Sequence, residues 1–203
     1  SDDFLKKVRA LATDSGAVLI FDECTSGFRE TFGGIHKLYD VEPDIAMFGK
    51  AMGNGYAITA TIGRREVMEA AQSSFISSTF WTERIGSVAA LKTLEVMERD
   101  QSWVKISKTG ESMKSGWQTL ADKYDLTIRQ AGLNALATFS FDSLNATKYK
   151  TLITQEMLHA GYLAGTSFYA CTQHTEAQLD AYFECLDPVF SLIKECETDR
   201  DID

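Results

Sequence analysis

The chain has 203 residues, 44% of them hydrophobic and 24% charged, an ordinary globular composition with room for one large or two small domains. Its net charge of −9 excludes the basic stripe of a nucleic-acid-binding surface, and no apolar run reaches the roughly 18–20 residues of a membrane span. The start carries no signal-peptide pattern, and Cys24, Cys171, Cys185 and Cys196 have no CxxC spacing, which fits reduced thiols in a cytoplasmic protein.

In chain order, residues 3–14 read as a helix with Phe4, Val8 and Leu11 on one face, ended by Ser15-Gly16. The apolar run 17–21 stops at Asp22, and a second run, 45–49, stops at Lys50. Short continuous runs of this kind read as strands buried on both faces of a parallel sheet flanked by helices. Between them, Gly27 and Gly33-Gly34 punctuate a loop holding Phe28, Arg29 and Phe32, with Arg29 expected in an ion pair that supports the loop. Gly53 and Gly55 follow Lys50 and let the backbone turn sharply. A strand is expected over 57–62, a short helix over 64–71, and a long helix over 82–99, preceded by Ser77, Ser78 and Thr79.

Trp103, Ile106, Gly110, Met113, Trp117 and Leu120 then recur at alternating intervals of three and four, an amphipathic stripe that core packing explains. Strands over 126–128 and 135–141, a helix over 147–160, strands within 162–171 and a last helix marked by Leu179, Phe183, Leu186, Phe190 and Ile193 complete an α+β unit. The acidic tail 197–203 is expected to fray. Cys171, Cys185 and Cys196 read as core or helix-face residues. His36 falls in a loop, His159 at a helix end and His174 before the last helix, where a local contact at the helix start is its expected use. The three share no metal-ligand spacing, so no metal site is expected.

Asp22 and Lys50 stand out because ligand crevices in open α/β sheets lie at the carboxyl ends of the strands. If the two strands are neighbours, one acid and one amine reach the same edge. A lysine in a desolvated place is a nucleophile toward carbonyls. A carboxylate beside it can pair with a protonated ring nitrogen, the arrangement that pyridoxal phosphate uses. The plainer alternative makes Asp22 a turn cap and Lys50 a solvated surface lysine.

The text around both residues carries further signal. FDECTSGFRETFGG at 21–34 and VEPDIAMFGKAMGNGYAITATIGRREVM at 41–68 resemble the class III pyridoxal-phosphate aminotransferases, and within them the glutamate-1-semialdehyde aminomutase branch. The resemblance is dense over 17–94 and thinner beyond. It implies an α/β fold, part of a type I aminotransferase (PLP-dependent transferase) large domain over 1–100, with a C-terminal α+β small domain over 101–203. By the same resemblance Lys50 holds pyridoxal 5'-phosphate as a Schiff base and acts as base and acid, and Asp22 keeps the pyridine nitrogen protonated. Thr25 stands where many members carry a Gln beside the ring hydroxyl, with a shorter reach. Thr79 is implied to hydroxyl-bond the cofactor phosphate of the other subunit, which makes a homodimer with shared active sites part of the site. Capping of the next helix by Ser77, Ser78 and Thr79 is the alternative. Asn54 and Tyr56 depart from the commoner glycine and proline.

Members of the family are about twice this long and place the phosphate-binding glycine loop and the ring-stacking aromatic residue upstream of such a segment. The resemblance therefore implies a C-terminal half, inactive alone. Three functions compete. The first is a transaminase moving an amino group from a small-molecule donor to an aldehyde or keto acceptor. The second is an aminomutase moving it within one molecule, and the third a non-catalytic half-enzyme kept for dimerisation or partner binding. Arg129 is a weak candidate for a substrate carboxylate, set against an exposed strand-end arginine.

Overall fold

The chain folds as two units that divide between Val104 and Lys105, in a computed structural model that describes residues 2–198. Of the acidic tail, residues 199–203 lie outside the described residues.

In the first unit, helix α1 (Asp2–Ser15) leads to strand β1 (Ile20–Asp22). A long loop with a single 3-10 turn (Ile35–Tyr39) then reaches strand β2 (Ile45–Phe48). β1 and β2 run parallel, with Ile20 opposite Ile45 and Asp22 opposite Met47. Strand β3 (Ala60–Gly63) returns antiparallel to β2, so the sheet is mixed rather than wholly parallel. The reason is local: a chain that turns back within the short stretch 49–59 can only lie antiparallel, whereas a parallel pair needs a long crossover. Asp44 fastens the unit's entry: its carboxylate accepts from Arg9 Nη1 at 2.8 Å and from the Leu19 amide at 2.7 Å, with Arg64 Nη1 at 3.3 Å.

The strands are not buried on both faces. Ala46 and Phe48 pack with Met52 and with Ala90 of helix α3 (Ile85–Asp100), while Ile20 is 51% exposed and Met47 37%. One helix covers one face, and the residues that alternate to the other side stay open. Between β3 and α3 lie the short helix α2 (Arg65–Met68), a 3-10 turn (Glu69–Ser73) and an irregular stretch in which Phe75, Phe80 and Trp81 are exposed.

The second unit takes up within helix α4 (Ser102–Lys123) and continues with strands β4 (Ile128–Ala131) and β5 (Leu136–Phe141). Helix α5 (Ala146–His159), strand β6 (Ser167–Tyr169) and helix α6 (Glu176–Thr198) complete it. The sheet is antiparallel in the order β4-β5-β6. β5 alternates inward at Ala137, Phe139 and Phe141, which meet Met113, Trp117 and Leu120 of α4, Tyr149, Ile153 and Met157 of α5, and Leu186, Phe190 and Ile193 of α6. The α4 stripe is thus core along its length, with only Trp103 less than fully buried. Cys185 and Cys196 pack against this core, but Cys171 is exposed in the turn after β6, where the chain has left the sheet and faces solvent.

Candidate functional site

Asp22 ends β1, and Lys50 follows β2 after the single residue Gly49. Because the two strands are parallel neighbours in that register, their carboxyl ends bring both side chains to one edge of the sheet. Lys50 takes a left-handed backbone, φ 42°, a conformation costing a residue with a Cβ roughly 1–3 kcal/mol. The following turn holds it there, since the Lys50 carbonyl accepts from the amides of Gly53 at 3.1 Å and Asn54 at 3.0 Å. Its side chain is exposed rather than desolvated, and Nζ lies 2.5 Å from Thr25 Oγ1.

The Asp22 carboxylate accepts from the Cys24 amide at 3.0 Å, closing a small turn. That amide, and then the Cys24 thiol, hold the Asp22 carboxyl below its usual range; slight burial opposes them and the Lys50 charge adds to them. The Cys24 thiol is pushed up, first by burial and then by Asp22. Asp22 thus stays ionised while Cys24 stays a protonated thiol.

Glu23, between them, was not singled out by sequence. It is 3% exposed, and its carboxylate gathers four donors. Oε1 accepts from the His36 amide at 3.1 Å and from His36 Nδ1 at 2.8 Å; Oε2 accepts from the Ile35 amide at 3.1 Å and from the Ser26 hydroxyl. A carboxylate can only accept, so His36 carries hydrogen on Nδ1. Burial alone would raise the Glu23 pKa, but the bonds from Ser26, His36 and Ile35 outweigh it and lower it. His36 is therefore the buried partner of Glu23 rather than a free loop residue. Gly34 makes room for the pair, since a Cβ there would sit 2.3 Å from the His36 ring. A usable signal was the adjacent acid pair: a strand end alternates its side chains, so one of two consecutive acids must face inward and find donors.

Thr79 is not brought to this cluster. It is exposed, and no hydrogen bond among the described residues ties it to Asp22, Thr25 or Lys50. Nor do its neighbours cap α3: Glu83 does so, its carboxylate accepting from the amides of Ile85 at 2.5 Å and Gly86 at 3.1 Å. A carboxylate suits the positive end of a helix better than a hydroxyl does. A cavity of about 730 Å³ in the first unit is lined by Phe28, Phe32, Phe48, Met52 and Ile62, and does not include Asp22, Thr25 or Lys50.

In the second unit Arg129 lies in a two-oxygen ion pair with Asp142, at 2.8 and 2.9 Å. His174 accepts from the Cys171 amide at Nδ1, 3.1 Å, and stacks against Phe168, a local contact in the turn before α6; burial lowers its pKa.

The family model described as Aminotransferase class-III matches residues 1–182. A 3-aminobutyryl-CoA aminotransferase of Cloacimonas acidaminovorans (strain Evry) is 34% identical over 198 residues, 95% of this chain and 48% of that protein. A glutamate-1-semialdehyde 2,1-aminomutase of Francisella philomiragia is 33% identical over 138 residues, 66% of this chain and 32% of the other. Among solved structures, the FumI protein of Sphingopyxis sp. MTA144, in its PLP internal aldimine form, superposes with a TM-score of 0.91. That match covers 99% of this chain and 49% of FumI at 21% identity, and so shows the fold. The chain spans about half the length of the relative that it matches over most of its own length.

Proposed function

The chain belongs to the class-III aminotransferases, and we propose that it carries the Asp22 and Lys50 part of a pyridoxal-phosphate-dependent transaminase site. The reaction class is transfer of an amino group from a small-molecule donor to an aldehyde or keto acceptor.

One observation carries the reading: an ionised acid, a hydroxyl and a primary amine meet at the carboxyl ends of two adjacent parallel strands, with Lys50 Nζ on Thr25. The donor set fits the cofactor, because a carboxylate held in its charged form suits a protonated pyridine nitrogen and a primary amine is the group that condenses with an aldehyde carbon. When bound, the cofactor supplies an aldehyde that condenses with amines and a ring that accepts electron density. Lys50 is the amine that would hold it. When free, Lys50 Nζ takes up and returns a proton at the reacting carbon. Asp22 maintains a fixed negative charge opposite the ring nitrogen. Thr25 stands beside Lys50, and Thr79 is assigned to the phosphate of a partner subunit.

A homodimer fits the stretch in which Phe75, Phe80 and Trp81 are exposed, since exposed large apolar side chains gain by being covered. Residues 1–100 are assigned to the cofactor-binding large domain and 101–203 to the small domain, in a cytoplasmic protein with reduced cysteines. The aminomutase relative supports intramolecular transfer as a second reading, and consumption of an external amino donor separates the two.

The test uses the native polypeptide that contains this chain. It is loaded with pyridoxal phosphate, its visible spectrum is recorded, and it is reduced with borohydride and mapped by mass spectrometry. A yellow protein with a pyridoxyl adduct on Lys50 is the expected result. A colourless, unmodified protein would remove the catalytic reading in favour of a binding module, and an adduct on another lysine would remove Lys50.

A further inference from the structure

We propose that Thr25 is a positioning residue whose hydroxyl holds the Lys50 amine in place and restrains its reactivity until a ligand displaces it. This rests on the reading of Lys50 as the reactive amine, and it gives Thr25 a role toward the lysine, distinct from contact with a cofactor.

The backbone on each side of the contact is fixed independently. On the Lys50 side, the Gly53 and Asn54 amides hold the left-handed turn, so the amine's place depends on the side-chain torsions alone. On the Thr25 side, the Glu23 amide donates to the Met47 carbonyl at 2.8 Å and the Gly27 amide to the Glu23 carbonyl at 2.8 Å. The Ser26 hydroxyl joins the buried Glu23 carboxylate. Thr25 therefore stands on a loop pinned at both neighbours, and its β-branched side chain has few rotamers. A lysine side chain is long and rotamer-rich, and a stationary hydroxyl 2.5 Å from Nζ supplies the restraint that it lacks.

The chemistry runs one way in both protonation states. Toward an ammonium the hydroxyl accepts a hydrogen bond that must break before the nitrogen can leave its place. Toward a neutral amine it donates into the lone pair and occupies it. In either case removing the hydroxyl leaves Nζ more reactive and less directed. Threonine at 25 ends beside the amine.

The test needs no cofactor. The cofactor-free native polypeptide is reductively methylated with formaldehyde and an amine-borane, and modification of Lys50 is followed by mass spectrometry against exposed Lys6 and Lys150. Thr25→Val keeps the shape and drops the hydroxyl, and it is expected to raise Lys50 labelling about three- to tenfold relative to those references. Thr25→Ser restores the wild-type ratio, which a merely structural role would not do. Thr25→Ala, too small to overfill the loop, replaces Val if Val does not fold. An unchanged ratio in Val or Ala, or a Ser variant that behaves like Val, overturns the proposal. Failure of wild type to form a pyridoxyl adduct on Lys50 would remove the proposed function and leave the labelling result to decide Thr25 by itself.

Discussion

Glu23→Ala tests whether the site's rigidity comes from a residue with no chemistry of its own. The side chain is 3% exposed and accepts four hydrogen bonds, two on each oxygen. On truncation the Ser26 hydroxyl can rotate to a new partner, and the half-buried Ile35 can reach water. The two His36 donors cannot, because His36 is only 5% exposed. Two buried donors left unpaired cost about 1–2 kcal/mol each, hence about 2–4 kcal/mol for the loop. The loss is local to 22–36, so amide exchange measured by mass spectrometry is the sensitive assay, with α5 peptides as the internal reference. Peptides covering His36 should exchange roughly 30- to 1,000-fold faster, while α5 stays unchanged. Unchanged exchange at His36, or an equal increase in both units, would refute the view that Glu23 anchors the loop locally.

Two further expectations concern the second unit. Burial raises the Tyr182 phenol to about 12, against the hydrogen bond that it accepts from Trp117 Nε1 at 3.1 Å. A raised pKa means the folded state favours the neutral phenol. Its contribution is therefore complete below the unfolded value of about 10 and is lost as pH rises through the folded value, about 2 kcal/mol by pH 12. Urea midpoints across that range should show a loss in wild type that is smaller by about 2 kcal/mol in Tyr182→Phe, where only groups such as Tyr149 and Lys123 still contribute. Arg129→Ala removes an ion pair whose partners are 72% and 47% exposed, so stability should change by less than about 1 kcal/mol. KM in the native enzyme should also stay unchanged, because the guanidinium is held by Asp142; a large rise in KM for a carboxylate substrate would restore Arg129 to the site.

Much was legible where one physical rule governs a residue by itself. The shared edge of Asp22 and Lys50 could be read because each interrupts an apolar run, which marks a strand end, and the two strands are parallel neighbours. The α4 stripe could be found because helical period and burial coincide from Ile106 to Leu120. Contacts between distant residues could not. Glu23 is buried only because the chain returns through Ile35 and His36, and no periodicity encodes that return. The two-faced burial expected for β1 and β2 needs layers on both sides of the sheet, and run length alone says nothing of which layers are present. Glu83 displaced the serines as the cap of α3 because capping depends on which residue stands nearest the first free amides, which the helix start at Ile85 decides.

Consecutive residues at the end of β1 take opposite duties, and the alternation of a strand explains why. Asp22 remains exposed and charged, set by donors that Cys24 provides within two residues. Glu23 turns inward and is satisfied by the Ser26 hydroxyl and by donors at Ile35 and His36, more than ten residues away. Exchanging those duties would fail on both counts. An inward Asp is one methylene shorter than the Glu that meets the His36 ring at 2.8 Å, and an outward Glu one methylene longer than the Asp that meets the Cys24 amide at 3.0 Å. Lys50 needs no such partner in the core, because its backbone is fixed by its own turn and its amine by Thr25. Asp22 and Thr25 thus take their positions from a loop that Glu23 and His36 hold together, so a mutation can loosen the candidate site without touching Asp22, Thr25 or Lys50.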